Sequence, residues 1–128
     1  MQYEYFYGAQ AEQFSFYRIP KALFTVPNFR ELSTDAKVLY GILLDRMSLS
    51  LKNQWIDAQN KVYIIFTVEE IMDALNCANQ KATRLMVELE KQAGLIERKR
   101  QGLGRPNLIY VKNFAATING KSCEKADS

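Results

Sequence analysis

The amino-acid sequence predicts an α+β fold, and three observations within residues 67–111 carry this prediction. Two segments in which apolar residues recur with helical spacing lie on either side of a three-residue turn. A glycine follows the second segment, at the position where glycine commonly ends a helix. A basic strand, a tip with two glycines and an apolar strand come next and predict a β-hairpin. This order is that of a winged helix-turn-helix, preceded here by an N-terminal aromatic arm or strand.

Aromatic side chains crowd the first residues of the chain. We expect residues 1–13 to form an arm and residues 14–114 to form the winged-helix domain, in which residues 14–19 are a strand. The arm either packs on its own domain or exchanges with a second copy of the chain. We expect residues 115–128, which are small and polar, to be a linker or a disordered tail. The aromatic residues are Tyr3, Tyr5, Phe6, Tyr7, Phe14, Phe16 and Tyr17.

The first half of the domain is expected to be mainly helical. Pro20 opens a short helix over residues 21–24, because proline lacks an amide that the first turn of a helix leaves unpaired. Ser33 or Thr34 caps a long helix that runs to about residue 49. The apolar stripe of this helix, which predicts a buried face, consists of Ala36, Leu39, Tyr40, Leu43, Leu44 and Met47.

Two short strands are expected between this helix and the helix-turn-helix. They cover residues 55–57 and 62–66, and the polar residues between them suit a turn. The second strand is apolar throughout, so we expect it to be central in the sheet or well covered. Trp55 lies in an apolar run and is expected to be a core residue and not a base-stacking one.

The helix-turn-helix has clear start and stop signals. Thr67 and Glu70 have the spacing of a capping box, which satisfies two unpaired amides at a helix start. Residues 76–78 form the turn, residues 79–92 form the second helix, and Gly94 ends it. The apolar stripes of the two helices contain Val68, Ile71, Met72 and Leu75, and Ala82, Leu85, Met86 and Leu89.

The other side of the second helix carries amide, hydroxyl and basic groups, with Glu88 and Lys91 further along it. The polar groups cluster in the first half, which reaches base edges when such a helix enters the major groove of DNA. Arg84 suits guanine and Gln80 suits adenine. The alternative is an ordinary solvated helix face. The candidates for base recognition are Asn79, Gln80, Lys81, Thr83 and Arg84.

The predicted hairpin, or wing, is basic. Residues 79–112 contain eight basic and three acidic residues, a net charge of +5 in a chain of net charge +3. Alternation along the strand places Arg98 and Arg100 on one face and Lys99 on the other, and we favour Arg100 and Arg105, nearest the tip, for contacts. Alternatively, these charges only keep the hairpin soluble. The candidates for contacts to the DNA backbone are Thr67, Lys91, Arg98, Lys99, Arg100 and Arg105.

The composition argues against several other classes of protein. The 128 residues are 48% apolar, as in a globular domain. With no membrane-spanning apolar run and no signal peptide, we expect a cytoplasmic protein. There is no histidine, and the two cysteines, Cys77 and Cys123, are far apart, so we expect no metal site, no cofactor, no disulfide and no enzyme activity. Gly102 and Gly104 lack the Lys-Ser/Thr that follows in a nucleotide-binding loop.

Four strings of the sequence are informative together: AEQFSFYRIPKALF, LSTDAKVLYGILLDRMSLS, VYIIFTVEEIMDALNC and GLIERKRQGLGRPNLIYVKNF. They resemble the N-terminal domain of the RepA family of plasmid replication initiators from low-GC Gram-positive bacteria. The resemblance covers nearly the whole chain, although GLIERKR on its own is common to many winged helices.

The resemblance implies a function and a set of partners. Domains of this family bind double-stranded DNA at the repeated sites of a plasmid replication origin and act as homodimers. They recruit the host replication machinery through a C-terminal domain, which we expect this chain not to include. A transcriptional repressor with the same fold is one alternative, and fold alone does not separate the two. A winged helix that binds protein is another, and the basic cluster argues against it.

Overall fold

Helices and a small sheet make up the computed structural model, which describes residues 2–8 and 13–115, and the predicted α+β class is confirmed. Cys123 and all of the predicted tail except Ala115 lie outside the described residues, as do Met1 and residues 9–12 of the predicted arm. None of the helices in the described ranges is long and apolar enough to cross a membrane. The elements are α1 (Ala22–Thr25), α2 (Thr34–Arg46), α3 (Val68–Leu75), α4 (Asn79–Val87), β1 (Ile64–Ile65), β2 (Ile96–Lys99) and β3 (Leu108–Val111).

The long helix α2 begins and ends close to its predicted bounds. Ser33 is the cap, because its hydroxyl accepts a hydrogen bond from the backbone N–H of Ala36 at 3.1 Å. Thr34 is therefore the first helical residue. After α2, a single 3₁₀ turn over Met47–Leu49 continues the chain in nearly the same form. The short helix α1 begins one residue later than predicted, at Ala22.

A capping box starts α3, as predicted. The Thr67 hydroxyl accepts a hydrogen bond from the Glu70 N–H at 3.1 Å, and the Glu70 carboxylate accepts one from the Thr67 N–H at 2.9 Å. Asn76 ends α3 with a φ of 56°, a left-handed conformation that asparagine tolerates better than most residues. The turn before α4 is thus as short as the sequence predicts.

The second helix of the pair continues past α4 in a wider form. Residues Glu88–Gln92 make one π-helical turn. Gly94 then adopts a φ of 66°, a left-handed glycine that ends the helix, and the Leu95 N–H donates a hydrogen bond to the Leu89 carbonyl at 2.9 Å. The predicted extent of residues 79–92 is confirmed, while the π turn was not predicted.

The three strands form one antiparallel sheet in the order β1-β3-β2. The hairpin pairs β2 with β3 from Ile96 opposite Val111 to Lys99 opposite Leu108. Of the two alternatives for the strand before α3, central in the sheet or well covered, the structure shows the second: β1 lies at the edge of this sheet and β3 in the middle, and Ile64 of β1 is covered by the core. The apolar character of β1 reflects its contact with the core, where Ile64 is fully buried.

Two further predicted strands are not formed. Residues 55–57 contribute one isolated bridge, between Ile56 and Val62. Residues 14–19 belong to neither helix nor strand. Their end runs over α2 and not beside the sheet: a Cβ on Gly41 would lie only 2.9 Å from the Arg18 carbonyl oxygen. The end of this segment therefore lies against a helix and does not pair with a strand of the sheet.

The hydrophobic core lies where α2, α3, α4 and the sheet meet. Trp55 is partly buried against it, in line with its predicted core role. The Arg46 guanidinium joins α2 to α3, because it donates to the Glu70 carboxylate at 2.6 Å. The fully buried side chains include Leu23, Leu39, Leu43, Ile64, Ile71, Leu85, Leu89 and Ile109.

The N-terminal aromatic side chains lie largely outside the core. Tyr5 is 83% exposed and Phe6 is 61% exposed. The rings of Phe6, Phe14 and Phe16 touch each other edge to face, with centroid distances of 5.9 and 6.2 Å. These exposed aromatic side chains are therefore not buried in the core of their own domain, which was one of the two alternatives for the arm.

Candidate nucleic-acid interface

The start of α3, the start of α4 and the hairpin surround one cavity of about 380 Å³. Its walls include Thr67 and Glu69 at the start of α3, Asn79 of α4, and Arg105 and Asn107 of the hairpin. The three parts that the sequence predicts as one unit therefore meet on one side of the domain.

The first half of α4 exposes the side that the sequence predicts. Lys81 differs from its neighbours, since it is half-buried and its Nζ lies 2.7 Å from the Asp35 carboxylate of α2. The other candidates carry polar groups of several kinds on one accessible helix face. They are Asn79, Gln80, Thr83 and Arg84, all of which are exposed.

Glu88 lies in the interior, so its predicted position on the solvent side of the second helix is wrong. It is 8% exposed, and its carboxylate accepts hydrogen bonds from the Ser33 hydroxyl at 3.0 Å and from the Ser33 N–H. A buried carboxylate is costly unless it is hydrogen-bonded. The start of α2 supplies these donors together with a favourable helix dipole. Glu88 thereby fixes the end of the second helix against α2.

Arg98 is held by the second helix, although it also lines the cavity. Its guanidinium donates two hydrogen bonds to the Glu90 Oε1, at 2.7 and 3.0 Å. Burial raises the pKa of Glu90, but the hydrogen bonds and the charge of Arg98 outweigh it, so this pKa lies below its usual value. The pair ties β2 to the π turn, and the Arg98 charge is already compensated.

Residues 100–107 form the tip of the hairpin. Gly102 has a φ of 118° and Gly104 a φ of 78°, backbone conformations that side-chain-bearing residues rarely adopt. The Gln101 side-chain amide donates to the Pro106 carbonyl at 2.7 Å and so closes the tip. The two glycines that the sequence predicts for a tight turn are thus both required by the backbone.

The outer side chains of the hairpin are basic, with one apolar exception. Burial alternates along β2 as predicted, so Arg98 and Lys99 point to opposite faces, and Lys99 is exposed. Arg100 and Arg105 are exposed beside the tip. Leu103, at the tip itself, is fully exposed. A fully exposed leucine contributes nothing to the core of the domain.

The remaining two candidates lie apart from the hairpin tip. The Thr67 hydroxyl is engaged in the capping box, while the residue lines the cavity. Lys91 is exposed in the π turn. At 1.5 Å per residue it lies roughly 18 Å along the helix from Asn79. A ligand that touches both must therefore extend along nearly the whole helix.

Three carboxylates that shape this surface are absent from the sequence-based candidates: Asp35, Glu88 and Glu90. Position 88 follows the buried Leu85 by three residues, which is a signal in the helical period for burial. Nothing in the sequence pairs Asp35 with Lys81 or Glu90 with Arg98, because these partners meet only after the helices and the hairpin have packed together.

Comparison with known proteins identifies a family and several relatives of this chain. Residues 15–125 match the family model described as the N-terminus of replication initiator protein A (RepA). A protein from Lactobacillus helveticus called 41 kDa protein is 33% identical over 103 residues, which are 80% of this chain. The chain spans 28% of the length of that relative.

Solved structures resemble the domain over almost its full length. One described as the N-terminal domain of a DNA binding protein is 36% identical, has a TM-score of 0.73 and is matched over 98% of its length by 99% of this chain. A Rep–DNA complex has the same TM-score and identity, with 98% of both chains covered. A structure of an MDR initiator has a TM-score of 0.71 and is 40% identical, with 98% of this chain and 99% of that one covered. The family model covers most of the chain, and the chain therefore belongs to the family of RepA N-terminal domains of replication initiators.

Proposed function

We propose that this chain binds double-stranded DNA sequence-specifically, at the repeated sites of a plasmid origin, as the N-terminal domain of a replication initiator. The observation that supports this most directly is the convergence of α3, α4 and the hairpin around one cavity. A similar chain, with 36% identity, forms part of a Rep–DNA complex. The polar face of α4 and the basic hairpin then belong to one surface.

The charges on this surface support an anionic partner. Of the acidic residues between positions 79 and 112, Glu88 is buried, Glu90 is paired with Arg98 and Glu97 is exposed. Glu69 of α3 is also exposed and lines the cavity, so the basic residues outnumber the exposed acidic ones without being the only charges there. Closely spaced phosphates favour such a basic surface and release counterions when it binds. The exposed basic residues between positions 79 and 112 are Arg84, Lys91, Lys99, Arg100, Arg105 and Lys112.

The first half of α4 is the proposed base-reading element. Asn79, Gln80, Thr83 and Arg84 present amide, hydroxyl and guanidinium groups, which match the donors and acceptors of the major groove. A bidentate contact from Arg84 to guanine or from Gln80 to adenine contributes about 1–3 kcal/mol of discrimination. Such contacts carry sequence information, whereas phosphate contacts set position.

The hairpin and the ends of the helices are the proposed contacts to the DNA backbone. Lys99, Arg100 and Arg105 are exposed around the tip, while Thr67 lines the cavity and Lys91 lies at the far end of the helix. Arg98 has a different proposed role, because its pairing with Glu90 leaves it to orient β2. The proposed backbone contacts other than Arg98 contribute affinity for any duplex, whatever its sequence.

The aromatic arm is the proposed contact between two copies of the chain. Phe6, Phe14 and Phe16 expose a cluster of touching rings, and exposed apolar patches of this kind commonly mark interfaces. Sedimentation equilibrium tests this proposal: serine at these three positions should yield monomers. Leu51→Ser, an exposed apolar residue elsewhere, is the control and should leave the dimer intact. A dimer that persists in the triple variant contradicts the role of the arm.

The wider role concerns a longer protein. We propose that the domain holds an initiator on its origin in the cytoplasm, without catalytic activity of its own. Recruitment of the host replication machinery would fall to a C-terminal domain. The relative from Lactobacillus helveticus, which is much longer than this chain, has room for such a part.

The test is a binding measurement with defined duplexes. A random duplex library first identifies the preferred sequence, and fluorescence anisotropy then compares it with a scrambled duplex across salt concentrations. A preference of at least about 10³ with a steep salt dependence supports the proposal. The preferred sequence should recur as repeats in the origin of the replicon that encodes the chain. A site found only at a promoter favours a repressor, and no binding at low salt overturns the DNA-binding proposal.

A further inference from the structure

We propose that Asp35 holds Lys81 away from DNA phosphates and so limits the affinity of the domain for duplex DNA. The inference rests on the proposed DNA-binding function. It assigns to an acidic residue outside the helix-turn-helix a part in setting the strength and the salt dependence of DNA binding.

The geometry places a carboxylate beside the base-reading face. Asp35 lies in the first turn of α2, and Lys81 is the third residue of α4. The Lys81 Nζ is 2.7 Å from the Asp35 Oδ2. The immediate neighbours of Lys81 along α4 include the exposed Gln80 and Arg84. A duplex that contacts those two side chains must pass close to the ion pair.

The pair is accessible, so its partners can exchange. The side chains of Lys81 and Asp35 are 43% and 51% exposed. An ion pair this exposed adds little to stability. A phosphate that approaches Lys81 competes with Asp35 for the same ammonium group. If the phosphate displaces the carboxylate, Asp35 is left unpaired next to the polyanionic DNA. The repulsion between them opposes the exchange.

This opposition acts on every duplex. A phosphate contact contributes to the binding of a scrambled and of a preferred duplex alike, so one cation withheld from phosphates removes the same contact from both. Base contacts from residues such as Arg84 do not need Lys81 and stay as they are. Asp35 therefore lowers the affinity for both duplexes by a similar factor.

The experiment compares Asp35→Asn with the parent chain on cognate and scrambled duplexes across salt. Asparagine keeps the shape of the side chain and removes its charge. The affinities for both duplexes should rise several-fold, and both salt slopes should steepen by about 0.9, the value of one added phosphate contact. The preference for the cognate site should stay nearly constant. Asp45→Asn, an exposed carboxylate at the other end of α2, is the matched control.

A second variant tests whether Lys81 carries the effect. Lys81→Gln alone should not steepen the salt slope, because the paired lysine neutralises no phosphate, and it should weaken binding because the Asp35 carboxylate is left unpaired beside the DNA. The double variant should return to the slope of the parent chain. The proposal is overturned if Asp35→Asn leaves the slope unchanged, if it acts equally with and without Lys81, or if Asp45→Asn has the same effect. A parent chain that binds no duplex overturns the proposed function instead, so the two failures are distinguishable.

Discussion

The carboxylate of Glu88 accepts hydrogen bonds from both the hydroxyl and the backbone N–H of Ser33. Ser33 is at the same time the cap of α2, since its hydroxyl accepts from the Ala36 N–H. One buried carboxylate thus joins the end of the proposed base-reading helix to the start of the central core helix. The orientation of that helix on the domain depends on this contact as well as on its apolar stripe.

Replacing Glu88 with alanine should therefore destabilise the domain. The change removes an acceptor for two donors in a site that excludes most water, so we expect the free energy of unfolding to fall by about 2–3 kcal/mol. Glu88→Gln keeps the size and one acceptor and should cost about 1 kcal/mol. Urea unfolding followed by circular dichroism measures both values. Glu31→Ala removes an exposed carboxylate and is the control, for which we expect only a small loss of stability. A loss for Glu88→Ala as small as that of the control contradicts the role of Glu88 in fixing the second helix against α2.

Neutralising the helix and the hairpin should affect DNA binding in different ways. Arg84→Gln removes a proposed base contact, so the affinity for the preferred duplex should fall by about 1–3 kcal/mol and that for a scrambled duplex by less. Arg105→Gln removes a proposed phosphate contact, so both affinities should fall alike and the salt slope should drop by about 0.9. Fluorescence anisotropy across salt measures these quantities. A uniform loss in both variants contradicts base reading by α4.

Leu103 at the hairpin tip should matter for DNA and not for stability. It is fully exposed and lies between two glycines with positive φ. Leu103→Ser should leave the urea midpoint unchanged, because no buried apolar area is lost. If the tip enters a minor groove, the leucine packs against sugars or a base step there, and its loss should weaken duplex binding several-fold. Unchanged affinity means that the tip stays in solvent.

The sequence predicted the parts of the fold that depend on neighbours in the chain. The Thr67 capping box and the stop at Gly94 are local arrangements, so their residue types suffice to locate them. Strand order depends on distant partners: β1 is apolar and yet lies at the edge, because the hairpin places β3 beside it. Residues 14–19 have strand-like composition and run over α2 at Gly41, a contact that no pattern within the segment indicates.

The same distinction holds for the candidate site. The polar face of α4 follows from the helical period, and it is exposed where predicted. The sequence did not predict which charges are ion-paired, because Lys81 pairs with Asp35 and Arg98 pairs with Glu90 only in the folded domain. Counting basic residues therefore overstated the number that are uncompensated on this surface.

Acid should weaken the domain through two ion-paired glutamates. Burial raises the pKa of Glu70, but the Thr67 N–H and the Arg46 guanidinium outweigh it, and the pKa of Glu90 is likewise lowered by Arg98. A lowered pKa in the folded state stabilises the fold above the ordinary value of 4.5, and this contribution is lost as the pH falls below it. Urea midpoints measured down to about pH 3 should fall less steeply in the double variant Glu70→Gln, Glu90→Gln. Parallel curves for parent and variant contradict this source of acid sensitivity.

Alkali should weaken the domain through Tyr40. Burial raises its pKa to about 12, and its hydroxyl donates a hydrogen bond to the Lys112 carbonyl at 2.7 Å. In the unfolded chain the phenol ionises near 10, so its contribution to stability is complete below pH 10 and is lost between pH 10 and about 12. This loss amounts to at most about 3 kcal/mol.

The variant Tyr40→Phe separates this contribution from other alkaline effects. At neutral pH it should be less stable than the parent by about 1 kcal/mol, because the hydrogen bond to Lys112 is lost. As the pH rises above 10, the parent should lose stability faster than the variant, until the difference between them disappears or reverses. Urea unfolding of both chains from neutral pH to about pH 12 gives the comparison, and tyrosinate absorbance should record one late-titrating phenol that the variant lacks. A constant difference in stability across this pH range would mean that Tyr40 ionises as readily in the folded domain as in the unfolded chain. The burial of Tyr40, whose hydroxyl meets the chain just after β3, argues against that result.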